Sequence, residues 1–374
     1  MTANAQLALD TIYQRPTRGI PTWMIHAMEH SIIERFAGAA PGDYRREPTR
    51  VYLAMQRAVG ACMVDQFIPD NPLSMGDQGF EGATKSATTG AERIVLDGIE
   101  IDSPEAAVEH LERFEFPRLR KATAEFDAGR RTADILRGEA AVQAQLGPDI
   151  LKAPYGVVRF PCFRYGAYGY AGYFMAYALY PEVMERDFAL QADLALCNNR
   201  AVARAYAEGR LPPLCRLDHD MADSRGTLVD VRSLDRLWFP HFARCLEPLL
   251  KADVRLIWHC DGNLMAMAPR LLDVGLRGFQ GFQYECGMDY ERLCRMKARD
   301  GSDLLILAGV SVSTTLPYGT AAGVRRELRR LVEAGPRTGL FLGGSSSITP
   351  GVPWENLQAL AEGLAHYRKA GRSG

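Results

Sequence analysis

The chain has 374 residues, 47 % hydrophobic and 24 % charged, with 44 basic against 45 acidic side chains and a formal net charge of −1. That balance is the profile of an ordinary globular protein and excludes nucleic-acid binding driven by bulk positive charge. The length suits two or three domains, or one large α/β barrel with additions.

The opening MTANAQLALDTIYQRP lacks the basic and continuous apolar regions of a secretory signal. The eight cysteines include no CxxC pair, so neither a zinc ribbon nor a disulfide framework is predicted, and a reduced cytoplasm is the expected location. Residues 1–60 read as a helical extension. Within it His26, Glu29 and His30 form HxxEH, an inverted metalloprotease spacing that needs both imidazoles on one helical face. The alternative places these histidines at the rim of a pocket or on a partly wet helix face.

A strand is predicted at 62–68 and an insertion over 90–150, where RIVLDGIEI reads as a hairpin before a charged helical run. Another strand is predicted at 155–160. The tyrosine-rich stretch 165–181 is 17 residues long and carries three glycines, too short and polar for a membrane span. It reads as buried or pocket-lining.

From residue 214 onward short apolar runs (214–217, 254–258, 276–282, 304–308, 339–342) alternate with amphipathic segments (233–251, 265–274, 290–299, 321–334, 353–369). Strands buried on both faces read as continuous apolar runs and need crossover helices, so a parallel sheet is predicted. With the two upstream strands the total is seven, and a (β/α)8 TIM barrel with an N-terminal helical extension and a small insertion is the economical closure. A doubly wound sheet competes, but no glycine-rich phosphate loop follows any strand.

In a parallel barrel the chemistry collects at the strand ends. There the sequence places Asp218 and Asp220, then Arg225, then His259, Cys260 and Asp261, then Tyr284 and Glu285, then Ser311, and finally Ser345. Side chains alternate along a strand, so His259 and Asp261 should share a face with Cys260 opposite. With Glu285 they could hold a divalent metal; an ion-paired His and Asp without metal is the alternative. Asp218 and Asp220 form a second such pair, suited to general acid–base work or to gripping a cation. Alternatively, Asp220 accepts backbone N–H groups and holds its loop.

The strings IWHCDGN, LLDVGLRGFQGFQYECGMD, LLILAGVSVSTTLPYGTAAGVRREL and LFLGGSSSITPGVPWENLQAL resemble, in that order, the uroporphyrinogen decarboxylase superfamily, which includes methyltransferases that work with methylcobamide. The resemblance covers roughly 150–370 and implies the same barrel. RGIPTW resembles the family's opening segment, but where the decarboxylases carry two carboxylate-gripping arginines this chain has His26 and His30. Imidazole is a poor substitute for a bidentate guanidinium, so uroporphyrinogen is not the expected substrate. Asp70 falls where the family's pyrrole-binding aspartate stands.

The thiol-directed methyltransferases carry HxC after one strand and a cysteine after the last, both gripping zinc. Here Asp261 stands at the cysteine of HxC, and serines 345–347 replace the last one, giving a harder zinc site or none. The resemblance therefore implies transfer of a methyl group from a small methylated compound to a corrinoid on a partner protein. Asp218, Asp220 and His259 are the expected catalytic groups, with His259, Asp261 and Glu285 as metal ligands. His26, His30, Asp70, Arg225, Tyr284, Ser311 and Ser345 are expected to contact substrate. Decarboxylation of a small acid and a catalytically silent ligand-binding barrel are the alternatives. The family also implies a homodimer.

Overall fold

The computed structural model describes residues 1–70 and 93–372, so the first three positions of the predicted insertion lie outside the described residues. Eleven strands are present among them: β1 Met63–Val64, β2 Val95–Leu96, β3 Ile99–Glu100, β4 Leu151–Lys152, β5 Leu214–Asp218, β6 Ala222–Asp223, β7 Gly226–Thr227, β8 Arg255–His259, β9 Gly278–Gln280, β10 Leu305–Val310 and β11 Leu340–Gly344. β5, β8, β9, β10 and β11 form one parallel sheet in the order β11-β10-β9-β8-β5. All five apolar runs of the second half thus become neighbouring strands. β10 is buried along its whole length, as expected of a strand covered on both faces.

Helices cross between these strands. Val231–Leu237 and Phe239–Lys251 join β5 to β8, Ala268–Val274 joins β8 to β9, Tyr290–Arg295 precedes β10, Ala321–Ala334 precedes β11, and Trp354–Ala370 follows it. Helix Ala321–Ala334 shows why: Val324, Leu328, Leu331 and Val332 recur at helical spacing and are its buried residues. The Thr320 hydroxyl caps it by accepting the Gly323 N–H at 3.2 Å. The single helix expected over 233–251 is two, broken at Trp238, where Pro240 enters the first turn of the second. The predicted hairpin is present, with Asp97 and Gly98 both at positive φ, as a two-residue I′ turn requires.

The sheet differs from the expectation of eight regular strands, because five are joined in one ladder while β1 and β4 pair in a separate parallel one. Isolated parallel bridges link the two: Thr22 to Leu342, Trp23 to Met63, and Tyr155 to Arg216. The strand predicted at 155–160 is absent, and hydrogen bonding falls earlier, at β4. The backbone after Tyr155 is satisfied by amide side chains of the long helix Pro181–Gly209. Asn198 Nδ2 donates to the Val157 carbonyl at 2.9 Å, and the Asn199 amide brackets Arg159 with bonds of 3.0 and 2.8 Å. Side-chain amides stand in for a strand neighbour, and periodicity cannot reveal that. The N-terminal extension likewise supplies Thr22 and Trp23 to the sheet edge. No described helix is long and apolar enough to cross a membrane.

Candidate functional site

β5 and β8 run side by side with Asp218 and His259 as register partners, so the two side chains leave the sheet on the same face at its C-terminal edge. Asp218 Oδ1 lies 3.8 Å from His259 Nε2. The other oxygen, Oδ2, accepts from the Tyr155 hydroxyl at 2.8 Å and from Arg216 at 3.1 Å. Just beyond the strands, Asp220, His259 and Asp261 present ligand atoms within 4.8 Å of one another.

The third ligand-bearing residue of this group is Asp220, where the sequence suggested Glu285. Glu285 sits on the short turn Tyr284–Cys286, and its carboxylate accepts from Ser313 and, at 3.5 Å, from Ser311. It remains close enough to act electrostatically on Asp261. Burial raises the Asp261 carboxyl above the ordinary range; His259 opposes this, and Asp220, Asp218 and Glu285 reinforce it.

Two buried atoms here have no hydrogen-bond partner, His259 Nδ1 and Asp261 Oδ1. His259 is only 8 % exposed. One nitrogen and carboxylate oxygens converging with unsatisfied lone pairs fit a divalent cation. Asp220 also holds its loop, since its Oδ1 accepts the Asp261 N–H at 2.8 Å. Cys260 points away: its thiol is buried, accepts the Met221 N–H at 3.3 Å, and is pushed up to about 12 by burial.

Beneath the site runs a polar chain that inspection of strand ends missed. Arg216, on the same face of β5 as Asp218, donates through Nε to Asp65 Oδ2 at 2.7 Å. Asp65 also accepts from Trp23 Nε1 at 3.0 Å, and both members of the pair are buried. Burial opposes charge on Asp65, but Arg216 outweighs it and holds the carboxyl below the usual range. Gln280 of β9 accepts from Arg216 at 3.4 Å and donates to the Ser345 carbonyl at 3.0 Å. A signal existed: an arginine inside the apolar run LCRLD must find a buried counter-charge.

The remaining expected contacts are dispersed. His26 lies in an extended segment beside the end of β11, where its Nδ1 is 2.8 Å from the Ser347 hydroxyl. His30 begins the helix His30–Ala37 and packs on the Tyr44 ring at 4.7 Å. Because the helix starts only at His30, the two imidazoles do not share a helical face, and the metalloprotease spacing is incidental. Asp70 is exposed and acts electrostatically on Tyr44. Arg225 is 89 % exposed and paired to Asp223 at 2.9 Å. Tyr284 donates to the Gly309 carbonyl at 2.8 Å, while Ser311 and Ser345 receive backbone N–H groups from Thr314 and Val312.

His219, between the two aspartates, turns instead into the aromatic cluster, and its Nε2 accepts the Phe163 N–H at 2.9 Å. Burial pushes its imidazole down to about 4, with Asp218 opposing. The unfolded chain therefore binds the extra proton first as the medium is acidified. Stability is expected to be intact above about pH 6.5 and to fall as pH drops through about 4, by up to about 3 kcal/mol from this residue. Urea titrations of chelator-treated protein at pH 7 and 4.5 measure the loss, which His219→Asn should largely remove.

No protein-family model matches the chain, and no curated protein matches it. Among solved structures the chain is similar to a methyltransferase from Methanosarcina mazei, with 14 % identity over 98 % of this chain and 99 % of that one and a TM-score of 0.57. At that identity the likeness is one of fold.

Proposed function

We propose that the protein is a methyltransferase that moves a methyl group from a small methylated compound to a corrinoid carried by another protein, with a divalent metal assisting. The observation that carries this reading is the meeting of Asp218, Asp220, His259 and Asp261 at the C-terminal ends of adjacent parallel strands, where two buried ligand atoms lack partners. The likeness in fold to a methyltransferase supports it. So does the resemblance of the strand-end segments to the uroporphyrinogen decarboxylase superfamily. The bridges at Thr22, Trp23 and Tyr155 support reading the two parallel ladders as one eight-segment (β/α)8 ring.

Asp220, His259 and Asp261 would hold the metal, which when bound supplies Lewis acidity toward the donor's heteroatom. The chain's own groups then do the positioning. Asp218, fixed by Tyr155 and Arg216, faces the His259 ring at 3.8 Å and would act on it electrostatically.

Purified protein should carry near-stoichiometric zinc, and His259→Ala or Asp261→Ala should lower that content at least tenfold with the fold intact by circular dichroism. Reduced cobamide should be methylated on addition of the right donor, seen in its absorption spectrum. Release of carbon dioxide from a small acid without corrinoid would replace this reading with decarboxylation.

A further inference from the structure

We infer that the protein binds a free single-chain carboxylate amphiphile, of the medium-chain fatty-acid class, in a cavity at the end of the sheet opposite the strand-end site. The inference is independent of the metal reading.

The cavity holds about 620 Å³, within the range of small-molecule sites. It lies between helix Ala3–Ile12, helix Ala128–Leu146, β4 and the segment that enters β5. Leu211 and Pro212 line it just before Leu214 opens β5, whose far end carries Asp218, and no residue of the metal group takes part.

Its wall is largely apolar. Leu9, Leu136, Ile150, Leu151 and Leu211 converge on it from four separate segments. A hydrocarbon chain laid against them removes that surface from water. The one amide in the wall is already committed. Gln143 Nε2 donates to the Gly147 and Ile150 carbonyls at 2.7 and 3.0 Å, and its Oε1 accepts the Lys152 N–H at 2.9 Å. A polar neutral ligand would find few partners there, and a hydrocarbon tail needs none.

Three charged side chains line the cavity: Glu139, Lys152 and Arg210. Lys152 and Glu139 are each about nine-tenths buried or more and pair at 2.9 Å. Lys152 Nζ also donates to the Ala153 carbonyl at 2.6 Å, which leaves the third ammonium N–H without an acceptor among the described residues. Glu139 thus balances one cation of the two. Arg210 is exposed and has no ion pair or side-chain hydrogen bond among the described residues. It closes helix Pro181–Gly209 in the left-handed conformation, at φ of +48°, where glycine fits with less strain, so the backbone does not call for an arginine. The wall therefore carries one positive charge in excess beside an apolar surface. A single carboxylate with an apolar tail matches both.

The test is calorimetric titration of the full chain at low salt with decanoate, below the concentration at which it forms micelles. Decanol and decyltrimethylammonium serve as neutral and cationic controls of equal chain length. Saturable binding of decanoate is expected, at least tenfold tighter than of either control. Arg210→Glu should weaken it at least tenfold by reversing the excess charge. Ala140→Trp, at an exposed position of its helix that lines the cavity, should do the same by filling the space. Circular dichroism checks that both variants are folded. Absence of binding, equal binding of the three probes, or binding indifferent to both variants overturns the inference. Sedimentation with phosphatidylglycerol vesicles, lost in Arg210→Glu and unaccompanied by binding of free decanoate, would overturn it in favour of a membrane-surface contact.

Discussion

Replacing Arg216 by methionine is expected to lower the unfolding free energy by about 3–5 kcal/mol, because it leaves Asp65 charged, buried and without its ionic partner. The pair sits beneath the site, and each member is almost fully excluded from solvent. Trp23 and the Gln66 N–H still donate to Asp65, but two neutral donors do not balance a buried carboxylate. The double variant Asp65→Leu with Arg216→Met should recover most of the loss, since apolar side chains of similar volume often replace a buried ion pair at little cost. Urea midpoints at pH 7 separate the two variants. A single-variant loss below about 1 kcal/mol would mean that the pair contributes like an exposed one. The sign of the pH dependence follows from the depressed Asp65 carboxyl: its contribution is present above the ordinary aspartate range and is lost as pH falls through its lower folded value. The wild type should therefore lose this contribution in acid, and the double variant should lack that component.

Gly281→Ala should cripple the site while sparing most of the fold. Gly281 follows β9 with φ of +86°, and a Cβ there would lie 2.4 Å from His259 Nδ1 and 2.8 Å from its Cε1. The strained backbone alone costs about 1–3 kcal/mol. The larger effect is on the imidazole, which must shift because a ring cannot remain that close to a methyl group. A misplacement of about 1 Å at a reacting centre costs about 100-fold in rate, and disturbance of a ligand's support costs about 10–100-fold in metal affinity. Zinc titration and the cobamide absorption assay read the two losses, and thermal unfolding checks that the protein remains folded. Zinc affinity unchanged in Gly281→Ala would show that His259 is not a ligand, because no ring position compatible with that methyl group retains the present arrangement.

The two experiments probe different layers of one construction. Arg216 and Asp218 are two residues apart on β5, so the strand turns both to one face and the guanidinium reaches Asp218. Asp65 fixes the arginine, Arg216 fixes Asp218, and Asp218 faces His259. Loss at the bottom should show first as instability, and loss at the top as altered metal binding and chemistry.

The apolar runs after residue 214 were enough to specify five parallel strands with helices between them, because a strand covered on both faces must be apolar throughout. The i, i+2 spacing of His259 and Asp261 also set Cys260 apart from them, since alternation is a property of the strand itself. Arg216 carried a readable signal as well, a charge inside an apolar run, although its partner did not. Asp65 is 151 positions away, and only the packing of β1, Trp23 and β5 around one interior brings it within reach. The choice of Asp220 over Glu285 beside His259 and Asp261 is likewise tertiary, because it depends on one loop folding back to give Asp220 the Asp261 N–H while serines draw Glu285 aside. Periodicity fixes which way a side chain points from its own backbone. Which side chains then meet depends on strand register and loop path, and those are set by contacts between residues that no local pattern relates.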